Sequence, residues 1–315
     1  MDDLIIVDGH CDTVLEYFKH KRSFWEKNKK GQMDWPRLRE ARVGLQFLAF
    51  YIEPEYKPAG SLARVLEMLS FFRFWQEEAP EGLQVIRSRE DLSALHPDRT
   101  AFLLAIEGGE VLEGRTSLLR ILHELGFRSL GLTWNQRNLL ADGAWENASK
   151  GGLTRHGTDT VREMNKLGML IDVSHLADAG FWDVLAVSEK PVAATHSCCR
   201  ALMDHPRNLT DEQLAALGRN NGIIGINFFP GFLSPGKAGI SNVVSHLEHA
   251  AAIAGIDHIG LGSDFDGINR TPAGLEDVTK IAVIPEALLQ RGWKEAEVRK
   301  IMGGNFIRVL SDVLP

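Results

Sequence analysis

Three histidines and three carboxylates stand where they could do chemistry together: His10, Asp12, Glu107, His175, His196 and Asp264. Each closes or directly follows a short apolar run. Imidazole nitrogens and carboxylate oxygens are the donors that zinc takes in hydrolytic sites. Six donors exceed the needs of one four-coordinate ion, so the set reads as a two-metal site sharing a carboxylate. His10 and Asp12 are two apart on an extended segment and should point the same way, with Cys11 turned opposite. The remaining candidates read as packing. His246 and His249 have a ligand-like spacing but fall mid-helix, on an outer face. Cys11, Cys198 and Cys199 form an odd set with two adjacent members, a poor disulfide framework, and read as buried thiols.

The elements that must position these residues repeat one pattern: a short apolar run, a loop, then an amphipathic stretch. Eight runs rich in Ile, Val, Leu and Phe cover residues 4–7, 45–52, 101–106, 129–134, 169–173, 192–195, 222–228 and 258–262. Most are apolar on both faces, as parallel strands covered on each side should be. Helices are expected over 36–42 (capped by Asp34), 62–78 (after Ser61), 117–125, 158–167, 177–187, 211–217 (a Thr210/Gln213 capping box), 242–254 and 294–314. The last should be interrupted at Gly303 and Gly304. Eight strand–helix units predict an α/β fold, a (β/α)8 TIM barrel, as one domain over 1–315. A doubly wound open sheet is the alternative, but no glycine-rich phosphate loop follows the first strand. On the barrel all six residues fall at the C-terminal ends of strands, where such enzymes place their chemistry. Residues 83–95 and 229–240 are extra excursions; long loops of this kind shape pockets.

Bulk properties narrow the partners. The chain has 315 residues, 44% hydrophobic, with a net charge of −7. The basic residues Lys19, Lys21, Arg22, Lys27, Lys29 and Lys30 read as a solvated face, so no nucleic-acid partner is expected. No apolar run reaches the length of a membrane span and the N-terminus lacks a leader pattern, so a cytoplasmic location is expected.

Seven segments carry a family resemblance: Asp8-Gly-His-Cys-Asp12, Ile106-Glu-Gly108, Ile171-Asp-Val-Ser-His175, Thr195-His-Ser197, Pro206-Arg-Asn208, Gly262-Ser-Asp-Phe-Asp-Gly267 and Gly304-Asn-Phe-Ile-Arg-Val309. In order and spacing the chain resembles the membrane (renal-type) dipeptidases and their bacterial relatives, within the amidohydrolase superfamily. The resemblance implies a dipeptidase with two Zn2+ ions. His10, Asp12 and Glu107 look like the ligands of one ion; Glu107, His175 and His196 look like those of the other. Asp264 resembles the general acid/base beside a bridging water, and Arg207 the residue that binds the substrate's C-terminal carboxylate. Bacterial relatives often prefer an L-residue followed by a D-residue, and relatives are often homodimers. Two departures stand out. Trp134 occupies a position where a histidine, thought to stabilise the oxyanion, is usual; its single N–H could substitute. Phe228-Phe229 replaces a Phe-Tyr pair, removing a hydroxyl. Other readings are a deaminase or lactonase, against which the His10-x-Asp12 spacing speaks, and a non-catalytic metal-binding barrel, which Trp134 favours and Asp264 opposes.

Overall fold

The computed structural model describes residues 3–79 and 82–315. Eight parallel strands close into a barrel: β1 Ile6–Cys11, β2 Val43–Tyr51, β3 Ala101–Glu107, β4 Phe127–Gly131, β5 Leu170–Asp172, β6 Ala193–Ser197, β7 Ile223–Ile226 and β8 Ile259–Leu261. Neighbours in sequence are neighbours in the ring, and β1 pairs with β8 through Asp8 and Leu261 to close it. The longest register runs between β2 and β3, from Leu45 opposite Ala101 to Tyr51 opposite Glu107. The 83–95 excursion contains a two-residue strand, Gln84–Val85, paired with the start of β3, and the helical turn Glu90–Ala94.

Burial on both faces explains the uninterrupted apolar runs. Inward-facing Val7, Leu45, Leu103, Leu170, Ala193 and Ile223 meet the C-terminal helix Asn305–Val313, which caps the starts of the strands with Phe306, Val309, Leu310 and Val313. Phe306 enters the barrel because β1 and β8 leave room for it. A Cβ on Gly9 would come within 2.6 Å of its ring, and one on Gly260 within 2.8 Å. The outward faces of the strands pack against the surrounding helices, and Cys11 lies in that layer.

Local signals set several helix ends. Asp34 accepts from the Arg37 N–H at 2.9 Å to cap Trp35–Ala41, and the Thr210/Gln213 box caps Asp211–Arg219 with bonds of 3.2 and 2.8 Å. Several details differ from expectation. β1 extends through the Asp8–Cys11 motif, so His10 lies within the strand rather than after it. The helix expected after Ser61 includes it, running Ser61–Glu78. The helix expected from 158 starts at Arg155, because Thr154 caps it, accepting from Gly157 N–H at 3.1 Å. Helices Thr13–His20 and Val283–Gln290 are additional. The C-terminal helix is not interrupted: Lys300–Gly304 forms a π turn between Glu295–Arg299 and Asn305–Val313. Glycine there allows close packing, since a Cβ on Gly303 would sit 2.3 Å from the Ile5 carbonyl oxygen. No helix among the described residues is long and apolar enough to cross a membrane.

Candidate metal centre

All six residues expected at the mouth meet there. His10 is on β1, Glu107 ends β3 and His196 is on β6; Asp12, His175 and Asp264 lie one to three residues beyond β1, β5 and β8. Asp12 turns in from the cap position of helix Thr13–His20 rather than from an extended strand. Its N–H donates to the Phe265 carbonyl at 2.9 Å, while the Asp264 N–H donates to the His10 carbonyl at 3.1 Å. These bonds sew the end of β1 to the segment after β8. Asp8 strengthens the seam from below, accepting from Ser263 N–H and Oγ at 2.7 and 2.6 Å and from Gln46 Nε2 at 2.9 Å. Asp264 and Asp266 both adopt left-handed backbone, with φ of 63° and 64°, a conformation that aspartate tolerates better than most residues. Gly267 follows because a Cβ there would strike Asp12 Oδ2 at 2.0 Å and Asp264 Oδ1 at 2.6 Å.

The donors form two adjoining groups. In one, His175 Nε2 lies 2.8 Å from Glu107 Oε1 and 2.8 Å from His196 Nε2. In the other, His10 Nε2 is 3.5 Å from Asp12 Oδ2, 3.6 Å from Glu107 Oε2 and 3.9 Å from Asp264 Oδ1. Glu107 thus presents one oxygen to each group. Asp264 stands with His10 and Asp12 as a third neighbour. Asp172 also approaches His196, but its oxygens accept from Ser174 N–H and Oγ and from Thr195 N–H and Oγ1, which marks it as a support.

Hydrogen bonds behind the rings decide which nitrogen faces the mouth. His175 Nδ1 lies 2.8 Å from Asn135 Oδ1. The Thr195 hydroxyl donates to Asp172, so it accepts from His196 Nδ1 at 2.9 Å. Both Nε2 atoms then turn lone pairs toward the mouth, an arrangement suited to a shared cation. His10 Nε2 is buried with no hydrogen-bond partner among the described residues. Burial opposes a charged His10, yet Glu107, Asp12 and Asp264 outweigh it and push the ring up to about 10. Burial raises the Glu107 and Asp264 carboxyls. Burial, with nearby Arg207 and His10, drives His175 and His196 well below the usual histidine range. A buried, electron-rich cluster with an orphaned imidazole nitrogen fits bound divalent metal.

Arg207, from the loop after β6, is buried and donates to the Ser174 carbonyl, the His196 carbonyl at 3.2 Å and Ser197 Oγ at 3.4 Å. It also lies 3.1 Å from His175 Nε2 and over the Phe232 ring, 5.5 Å from its centroid. It therefore also ties the ends of β5 and β6 together. A cavity of about 520 Å³ opens over the cluster, bounded by Asp12, Glu107, His175, Arg207 and Asp264 and walled by Tyr51, Trp134, Phe229, Phe232 and Ile268. Trp134 packs against Tyr51, Trp145 and His175 at ring-centroid distances of 5.2, 5.0 and 6.1 Å. Phe229 reaches the cavity, whereas Phe228 is buried against Phe265.

Sequence reading missed the orienting residues Asn135, Thr195, Asp172 and Asn227, the last donating to Asp264 Oδ2 at 2.9 Å. Only Asn135, next to Trp134, and Asp172 and Thr195, inside quoted motifs, carried any signal. The packing reading of the other residues agrees with their contacts. His246 is held between the Cys199 N–H at 3.0 Å and the Leu233 carbonyl at 3.1 Å, and His249 pairs with Asp211 at 2.7 Å. All three cysteines are buried and free.

This barrel, with its cluster of candidate ligands at the C-terminal mouth, has the architecture of a barrel metallohydrolase. The chain belongs to a particular family within that class: residues 1–314 match the family model described as Membrane dipeptidase (Peptidase family M19). Among curated relatives, Dipeptidase tcpJ of Claviceps purpurea (strain 20.1) is 37% identical, over 97% of this chain and 76% of its own length. Dipeptidase 3 of Mus musculus is 35% identical, over 99% of this chain and 65% of its own. Among solved structures, a metallo peptidase from Rhodobacter sphaeroides, liganded with a phosphinate mimic of the dipeptide L-Ala-D-Ala, superposes with a TM-score of 0.91 at 28% identity. That match covers 99% of this chain and all of the other.

Proposed function

We propose that this protein hydrolyses the peptide bond of dipeptides, L-Xaa-D-Xaa among them, with two zinc ions held by His10, Asp12 and Glu107 and by Glu107, His175 and His196. The observation that carries the reading is Glu107, with one oxygen toward each group of histidines. Bound zinc would supply an acidified water and a polarised carbonyl. The chain's own residues do the rest. Asp264 points Oδ1 toward His10 and is held through Oδ2 by Asn227. It takes the proton of the attacking water and returns it to the leaving amine. Arg207 pairs with the substrate's terminal carboxylate, and the walls formed by Tyr51, Trp134, Phe229 and Phe232 exclude water. A carboxylate anchor so near the reacting centre accounts for selecting dipeptides over longer chains. The likeness to a protein holding an L-Ala-D-Ala mimic supports a D-residue at the second position. The three free, buried thiols support a cytoplasmic site of action. A homodimer rests on the family resemblance; a single domain over 1–315 rests on the eight strand–helix units of one barrel.

The test is hydrolysis of paired L-Xaa-L-Ala and L-Xaa-D-Ala panels by zinc-loaded protein, with and without chelator, read as free amino acids, alongside metal content by elemental analysis. Chelator-sensitive cleavage with two metal equivalents per chain is expected. A fully metallated protein that cleaves no dipeptide refutes the reading.

A further inference from the structure

One buried charge has no part in the chemistry above. Lys57, in the loop after β2, has a side chain only 9% exposed, and its ammonium has no hydrogen-bond acceptor among the described residues. Its ion-pair partner is Glu110, just past β3, with Nζ 3.4 Å from Oε1. A buried ammonium left short of acceptors is costly unless something offsets it. What surrounds Lys57 is aromatic: Nζ sits 5.4 Å from the Tyr51 ring centroid and 5.3 Å from that of Trp134. These rings pack against each other and form one wall of the cavity over the ligand cluster. The negative faces of aromatic rings attract a cation, more strongly where water is excluded. Moving either ring away would strip the ammonium of its compensation, so the charge holds both rings in place.

We propose that Lys57 is a positioning residue for the substrate pocket: its buried ammonium, anchored by Glu110, clamps Tyr51 and Trp134 into the wall against which the dipeptide packs. This rests on the dipeptide reading of the cavity. A purely structural alternative makes Lys57 and Glu110 a staple between two loops. The alternatives separate in the variants Lys57→Met, Lys57→Arg and the double variant Lys57→Met/Glu110→Gln, which leaves no unpaired charge and preserves side-chain volume. The clamp predicts that KM rises about tenfold in both Lys57→Met proteins while kcat stays within about threefold. Lys57→Arg, which keeps the cation, should stay near wild type. Fluorine NMR of fluorotryptophan-labelled protein, with the Trp134 signal assigned by its loss in Trp134→Phe, should show that signal shifted or broadened in both Lys57→Met proteins. A double variant with wild-type KM, or an unperturbed Trp134 signal, overturns the clamp. Wild-type protein that cleaves no dipeptide refutes the substrate reading instead, and the fluorine comparison still decides whether Lys57 holds the ring.

Discussion

The two ends of this barrel are built from the same eight strands on opposite principles. At the starts of the strands, Phe306 and its neighbours from the C-terminal helix fill the interior with apolar contact. At the C-terminal ends the same strands gather carboxylates and imidazoles in a buried space, with His10 Nε2 left without a hydrogen-bond partner among the described residues. One end is packed to be stable; the other holds donors that the fold leaves unsatisfied and a ligand would complete. Barrel enzymes divide labour in this way because loops at one end can vary without disturbing the packed layers below.

Four experiments probe that division, in order of expected effect. At the mouth, Asp264→Asn should lower kcat about a thousandfold while metal content, read by elemental analysis, and melting temperature change little. A normal kcat would remove Asp264 from proton transfer. At the packed end, Phe306→Ala should cost about 4 kcal/mol in denaturant unfolding, with kcat of the folded fraction within a few-fold of wild type. A large kcat loss in well-folded protein would show that the ends are coupled.

A third experiment contrasts a satisfied histidine with the orphaned one. Burial pushes His246 down to about 4, while an unfolded chain's histidine titrates near 6.5. Between these values the unfolded state binds the proton more readily, so stability falls as pH drops through that window, by about 3 kcal/mol at its lower end. His246→Gln should flatten that part of a pH series of unfolding curves; an unchanged slope would assign it to other groups. The smallest effect is expected for Arg207→Ala: about a thirtyfold rise in KM for dipeptides, consistent with losing a charged hydrogen bond. Part of that loss should also appear as lower stability, since Arg207 donates to the Ser174 and His196 carbonyls. Wild-type KM would restrict Arg207 to its structural bonds.

Much of the site was legible without coordinates. The apolar runs marked the strands because parallel strands covered on both faces must be apolar throughout, and the residue types that follow them marked the mouth. Boundaries were less legible. β1 runs into the motif, which places His10 on the strand, and Thr154 rather than Thr158 sets a helix start because its side chain happens to reach Gly157 N–H. The π turn at Lys300–Gly304 read as a break because two glycines in a helix usually cost stability; here Gly303 permits contact with the Ile5 carbonyl.

The sequence by itself determined the alternation of strand and helix, the identity of the candidate ligand side chains and their place at strand ends. Those features depend on periodicity and on residues adjacent in the chain. Only the tertiary structure decided how each donor is aimed: Asn135 behind His175, Thr195 and Asp172 behind His196, Asn227 behind Asp264, and Lys57 against Tyr51 and Trp134. Most of these partners come from different strands or loops. A hydrogen bond or a ring contact reaches only a few ångströms, and closing the barrel is what brings such distant residues within that range.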